Sequence, residues 1–67
     1  MKINSQKIEL MAAKKGMTKA ALAVSMGVAP QNLFAICHRG SCTALTVVKI
    51  ARALGCEPEE IIVRKED

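Results

Sequence analysis

Cys37, His38, Cys42 and Cys56 are the side chains in this 67-residue chain with the richest intrinsic chemistry, since thiolate and imidazole are both metal ligands and nucleophiles. Their spacing argues against either use. No C-x-x-C pair opens a zinc site, and Cys37 and His38 are neighbours that would project about 100° apart on a helix. Three cysteines, an odd number without framework spacing, suit reduced thiols better than a disulfide scaffold. Nothing in the sequence lowers the pKa of Cys42 enough to support a redox switch. Acid–base catalysis fares no better. There is one histidine, no acidic residue between Leu10 and Cys56, no phosphate-cradling glycine loop and too short a chain for a sizeable pocket. The chain reads as non-enzymatic, with no cofactor, no metal and no small-molecule ligand.

The chemistry that remains is electrostatic. The net charge is +4, from ten Lys and Arg against six Asp and Glu. Its distribution says more than its sum, because the acids are Glu9, Glu57, Glu59, Glu60, Glu66 and Asp67, all near the ends. Between Leu10 and Cys56 lie Lys14, Lys15, Lys19, Arg39, Lys49 and Arg52 with no acid among them. A middle of one sign produces the field a polyanion would feel, although a merely solvated basic face has the same composition. No run is long or apolar enough to span a membrane and the start lacks a signal peptide's apolar region, so a cytoplasmic protein without membrane contact is expected.

The elements that must hold these charges are short. Gly16, Gly27, Pro30, Gly40, Gly55 and Pro58 divide the chain into five helical segments. The apolar residues are mainly Ala, Leu, Ile, Val and Met, with Phe34 the one aromatic, which favours closely packed helices over sheets. The first segment runs from about Ser5 to Lys15, with Ile8, Met11 and Ala12 on one face. Thr18 is a good N-cap for a second over Lys19 to Met26, where Ala21, Leu22 and Ser25 share helical spacing. Pro30 suits the first position of a third, which continues to Cys37 or His38 with Leu33 and Ile36 inward. Thr43 can cap a fourth, whose apolar positions include Leu45, Val48, Ile50, Ala51 and Leu54. Pro58 opens a short fifth, with Glu59 and Glu60 favourably placed in its first turn. A single domain over 1–67 is expected, ordered from about 3 to 63, with 64–67 a charged tail. So small a core supplies roughly 3–5 kcal/mol of net stability, and a second subunit could add to it.

The stretch from Thr18 to Arg39, TKAALAVSMGVAPQNLFAICHR, carries the most information. Two short helices meet through Gly27, with a small residue at Ala23 and apolar ones at Leu22, Val28, Leu33 and Ile36. Helices crossing at roughly 90–120° need such a turn, where glycine adopts a left-handed conformation, and a small side chain where backbones approach. The apolar set ties the pair to the other helices and leaves the second helix's outer face free to enter a DNA major groove.

On these residues, together with KKGMTKAALAVSMGV and the later IARALGCEPEEII, the chain resembles the lambda-repressor-like, Cro/CI-type (XRE-family) helix-turn-helix domains. The resemblance covers about Ile3 to Val63. In that family a glycine ends the first helix, an L-A pair lies in the second (here Leu22-Ala23), a glycine makes the turn (Gly27) and an A-x-A-L-G phrase closes the fourth helix (Ala51 to Gly55). It implies an all-α, compact five-helix domain that binds double-stranded DNA as a small transcriptional regulator, with repression as the expected sense. The helix from Pro30 to His38 is then the recognition helix, with Gln31, Asn32 and Ala35 facing base edges. Gln and Asn match adenine N6 and N7, and Ala a thymine methyl, whereas Pro30 offers no side-chain hydrogen bond where relatives often carry a polar residue. Thr18 and Lys19 resemble one phosphate-contacting cluster, and His38, Arg39 and Ser41 a second.

The chain departs from the family where many members pair an Arg in the first helix with a Glu at the end of the recognition helix. Those positions are Ala12 and Cys37, both uncharged, an exchange that leaves no lone buried charge. Cys56 falls where relatives bury an apolar residue. Phe34 lies on the flank of the recognition helix, where packing on a neighbouring helix, touching a thymine methyl or meeting another subunit are all open. Of Ile61, Ile62 and Val63, one or two close the core and the third is available to a homodimer. Two recognition helices of a homodimer would sit about 34–36 Å apart on one face of DNA. The rival function is a protein-interaction module of the same fold, an antitoxin or phage accessory factor. A nonspecific DNA binder is a third reading.

Overall fold

A computed structural model describes residues 1–63. Four α-helices form in chain order: α1 (Ser5–Lys14), α2 (Lys19–Met26), α3 (Pro30–Arg39) and α4 (Ala44–Leu54). Side chains start three of them. Asn4 Oδ1 accepts from the Lys7 N–H at 3.0 Å, Thr18 Oγ1 from Ala21 at 3.1 Å and Thr43 Oγ1 from Thr46 at 3.3 Å. Each satisfies an N–H that has no partner inside its helix. α3 begins on Pro30, whose ring needs no such partner. Gly27 closes α2 at φ 76°, and its N–H reaches back to the carbonyls of Ala23 and Val24. That left-handed conformation is what turns the chain so tightly into α3.

The expected fifth helix does not form. Pro58–Glu60 makes a single 3₁₀ turn, with the Glu57 N–H donating to Glu60 Oε2 at 3.0 Å, and helical bonding stops there. Ile61, Ile62 and Val63 are β-branched and favour extended backbone. The N-terminal segment offers them partners: Asn4 N–H donates to Ile61 O at 2.8 Å and Val63 N–H to Lys2 O at 2.9 Å. The other side of that segment pairs with the loop after α3, where Ile3 N–H donates to Gly40 O at 3.0 Å and Cys42 N–H to Met1 O at 2.9 Å. Both pairings are antiparallel bridges, Ile3 with Ile62 and Lys2 with Ser41. The charged tail 64–67 lies outside the described residues.

The core gathers Ile3, Ile8, Ala12, Leu22, Ala23, Leu33, Cys37, Val47, Ile50, Ala51, Leu54 and Ile61. It corrects the inward faces expected of three helices. In α2 the buried pair is Leu22 and Ala23, while Ala21 and Ser25 are exposed. In α3 Leu33 and Cys37, four apart, are buried and Ile36 is half-buried. In α4 the buried set is Val47, Ile50, Ala51 and Leu54, the i, i+3, i+4, i+7 stripe of one helix face, whereas Leu45 is 67% exposed. Val48 is half-buried. Ala12 and Cys37, matched by sequence to the positions where many relatives carry an Arg–Glu pair, are both core residues here.

Candidate nucleic-acid interface

Between α2 and α3 the helix axis turns by 113°, so the outer face of α3 projects away from the core that its inner face helps to build. Leu33 and Cys37 anchor that inner face. Helical spacing then puts Gln31 and Ala35 opposite them, Phe34 on one flank and Asn32 and Arg39 on the other. Gln31, Asn32 and Ala35 are all exposed. α3 runs one residue beyond His38, to Arg39, and Ser5 Oγ on α1 donates to Cys37 O at 2.7 Å, fixing its C-terminal half against α1.

Thr18 and Lys19 sit on the Phe34 flank. Thr18 accepts the α2 cap hydrogen bond through Oγ1, which leaves its O–H proton free to donate outward. The Lys19 ammonium stands 5.7 Å above the centre of the Phe34 ring. At such a distance the negative ring face attracts the cation, a contact worth about 0.5–1 kcal/mol at an exposed site. Phe34, 44% exposed, therefore has a neighbour on α2 that charge and hydropathy patterns did not reveal. Glu9, Ala13 and Met17 complete the groove beneath this pair.

Arg39 lies at the other end of α3, and its Nε donates to Ser41 O at 3.3 Å, so the side chain is held along the loop, with no partner for its two terminal NH₂ groups among the described residues. His38 is exposed and Ser41 half-buried in the bridge with Lys2. Beside Asn32, Ala35 and Arg39 runs a groove of about 330 Å³ whose far wall is α4, contributed by Thr46 and Lys49. Sequence reasoning assigned neither residue to the site. The available signal was their place on the face of α4 away from the Val47–Ile50–Ala51–Leu54 stripe.

The thiols are not activated. Burial pushes the Cys37 thiol up, with the nearby Lys19 charge pulling partly the other way. Burial likewise raises Cys42 and Cys56, the latter helped by Glu60 and Glu57. Among the described residues no three His, Cys, Asp or Glu side chains gather closely enough to hold a metal ion. Ile61 is fully buried, Ile62 half-buried and Val63 50% exposed, so the three divide between core and surface.

A tight two-helix turn with an exposed second helix and basic groups around it defines a helix-turn-helix domain. The family model of the Cro/C1-type HTH DNA-binding domain matches residues 7–67, and the chain belongs to that family. It is thereby a DNA-binding regulator of the helix-turn-helix class. No curated protein sequence and no solved structure gives a significant match to the chain. No single helix among the described residues is long and apolar enough to cross a membrane.

Proposed function

We propose that the protein binds double-stranded DNA sequence-specifically and represses transcription, with α3 lying in the major groove. The observation that carries this reading is the outer face of α3: Gln31, Asn32 and Ala35 are exposed together on a helix turned 113° from α2. The two amides present paired donors and acceptors that match adenine N6 and N7, and the alanine methyl fits a thymine methyl. Thr18 and Lys19 at one end, and His38, Arg39 and Ser41 at the other, are assigned to phosphate oxygens, which fix register without reading sequence. A repressor acts by occupying its site, which requires no catalytic group and no second domain.

One α3 spans only a few base pairs, so the working form on DNA is a homodimer reading two half-sites. Val63, half-exposed with its N–H bonded to Lys2 O, is assigned to that contact, with Ile62 in partial support. The direct test is fluorescence anisotropy of a labelled duplex from the gene's own upstream region, against a scrambled duplex, at several salt concentrations. Preferential, saturable binding to the upstream DNA supports the reading. Equal binding to both duplexes at every salt concentration would favour a nonspecific binder, and no binding at low salt would favour a protein partner.

A further inference from the structure

The major groove is about 12 Å wide and bounded by two phosphate backbones, so a helix seated in it needs cations on both flanks. On the α2 flank the structure supplies Lys19, but Glu9 lines the same groove and opposes an approaching phosphate. The α4 flank differs. Arg39 on α3 and Lys49 on α4 both line the groove that includes Asn32 and Ala35, and a second depression that shares Met26 and Lys49 with it is lined by Arg52 as well. No carboxylate lies on α3 or α4, because the chain has no acidic residue between Leu10 and Cys56. Glu57 and Glu60 act on Cys56 together with Lys7 and Lys15, which places those acids among other lysines.

We infer that Lys49 is a backbone-phosphate contact that acts with Arg39 to seat the DNA strand on the α4 side of α3, and that Arg52 extends the same positive track. The geometry favours a phosphodiester over a small anion. The groove is lined by the half-buried apolar side chains of Met26, Val28 and Ile36 and by the exposed Arg39 and Lys49, so a backbone passing over it can meet both cations. Arg39 is exposed and held by its Nε bond to Ser41. The Thr46 hydroxyl, 3.0 Å from that of Thr43, lies on the same wall as Lys49.

This inference rests on the placement of α3 in the major groove, and its test separates the two. Binding of a 24-base-pair duplex is measured across a series of salt concentrations for the wild-type chain and for Lys49→Gln, Lys49→Arg and Lys7→Gln. Each phosphate neutralised contributes about −0.9 to the slope of log K against log salt. Lys49→Gln is expected to flatten the slope by about 0.9, Lys49→Arg to restore it and Lys7→Gln to leave it at the wild-type value. Lys49 is exposed, and an unchanged thermal midpoint shows that the variant remains folded. Wild-type slope in Lys49→Gln overturns the role of Lys49 while leaving α3 as the reading helix. An equal flattening in Lys7→Gln overturns it too, because the effect would then be net charge alone. Failure of the wild-type chain to bind any duplex at low salt overturns both.

Discussion

At the scale of single residues, the division between reading and holding makes separable predictions. On the proposed reading, Gln31→Ala removes the paired donor and acceptor offered to one base and should weaken specific binding by about 1–3 kcal/mol while leaving binding to scrambled DNA unchanged. Anisotropy titrations on the two duplexes check this, and an equal loss on both would reassign Gln31 to the backbone. Phe34 works through another side chain. Phe34→Leu keeps apolar cover but deletes the ring face beneath Lys19, so affinity should fall about two- to five-fold with the salt slope preserved. Lys19→Gln, by contrast, should flatten the slope by about 0.9. Cys37 gives a prediction in pH. Burial raises its pKa, so the native state holds the thiol proton more tightly than the unfolded chain does. The linked stability is complete below the unfolded thiol's pKa of about 8.5 and is lost as pH rises from there through the raised pKa of the folded state. Thermal midpoints from pH 7 to 10 should therefore fall more steeply in the wild type than in Cys37→Ala.

At the scale of elements, the turn and the caps carry more of the site than their size suggests. Gly27 holds φ 76°, where a Cβ meets no neighbouring atom but strains its own backbone. Gly27→Ala should cost about 1–2 kcal/mol, a large share of a stability near 3–5 kcal/mol, and should lower the thermal midpoint accordingly. Thr18→Ala should cost about 1 kcal/mol as a lost cap, and it should also weaken DNA binding if the free O–H proton serves a phosphate. Punctuation made most of the architecture legible. Thr18, Gly27, Pro30, Thr43 and Gly55 mark helix ends that local physics decides, and the helices begin and end within a residue or two of them. What sequence could not resolve was set by partners distant in the chain. Leu45 and Val47 are equally apolar on paper, and only the closure of α4 on the core decides which is buried. Pro58 does start a turn, but Ile61 to Val63 then bond to residues 2 and 4 instead of continuing it. Lys49 was visible as charge, but its place beside Asn32 and Ala35 depends on how α4 packs against the turn and α3.

At the scale of the whole molecule, the charge pattern of the chain becomes a pattern in space. The two flanks of α3 are unequal: Lys19 shares its groove with Glu9, while Arg39, Lys49 and Arg52 lie on helices without an acid. The α4 side should therefore dominate the early, long-range attraction to DNA. If so, association rates should fall more in Arg52→Gln than in Lys14→Gln at low salt, a difference that stopped-flow mixing resolves and that fades above about 0.15 M as screening shortens. Dimerisation belongs to this scale as well. Sedimentation on a duplex carrying two half-sites one helical turn apart should show two chains per duplex, and a single half-site should bind at least tenfold more weakly.

The segment before α1 lies between two other stretches, with the loop that carries Arg39 and Ser41 on one side and Ile61 to Val63 on the other. It works as a tongue in a clasp. Drawing out residues 1–4 would release the hydrogen bonds at Gly40 and Cys42 in the same stroke as those at Ile61 and Val63. The shape of the loop after α3, to which phosphate contacts are assigned above, is thus tied mechanically to stretches at opposite extremes of the numbering. Pulling on this tongue would also withdraw the Asn4 cap from α1, so the loop, the Ile61 to Val63 stretch and the start of the first helix would loosen together.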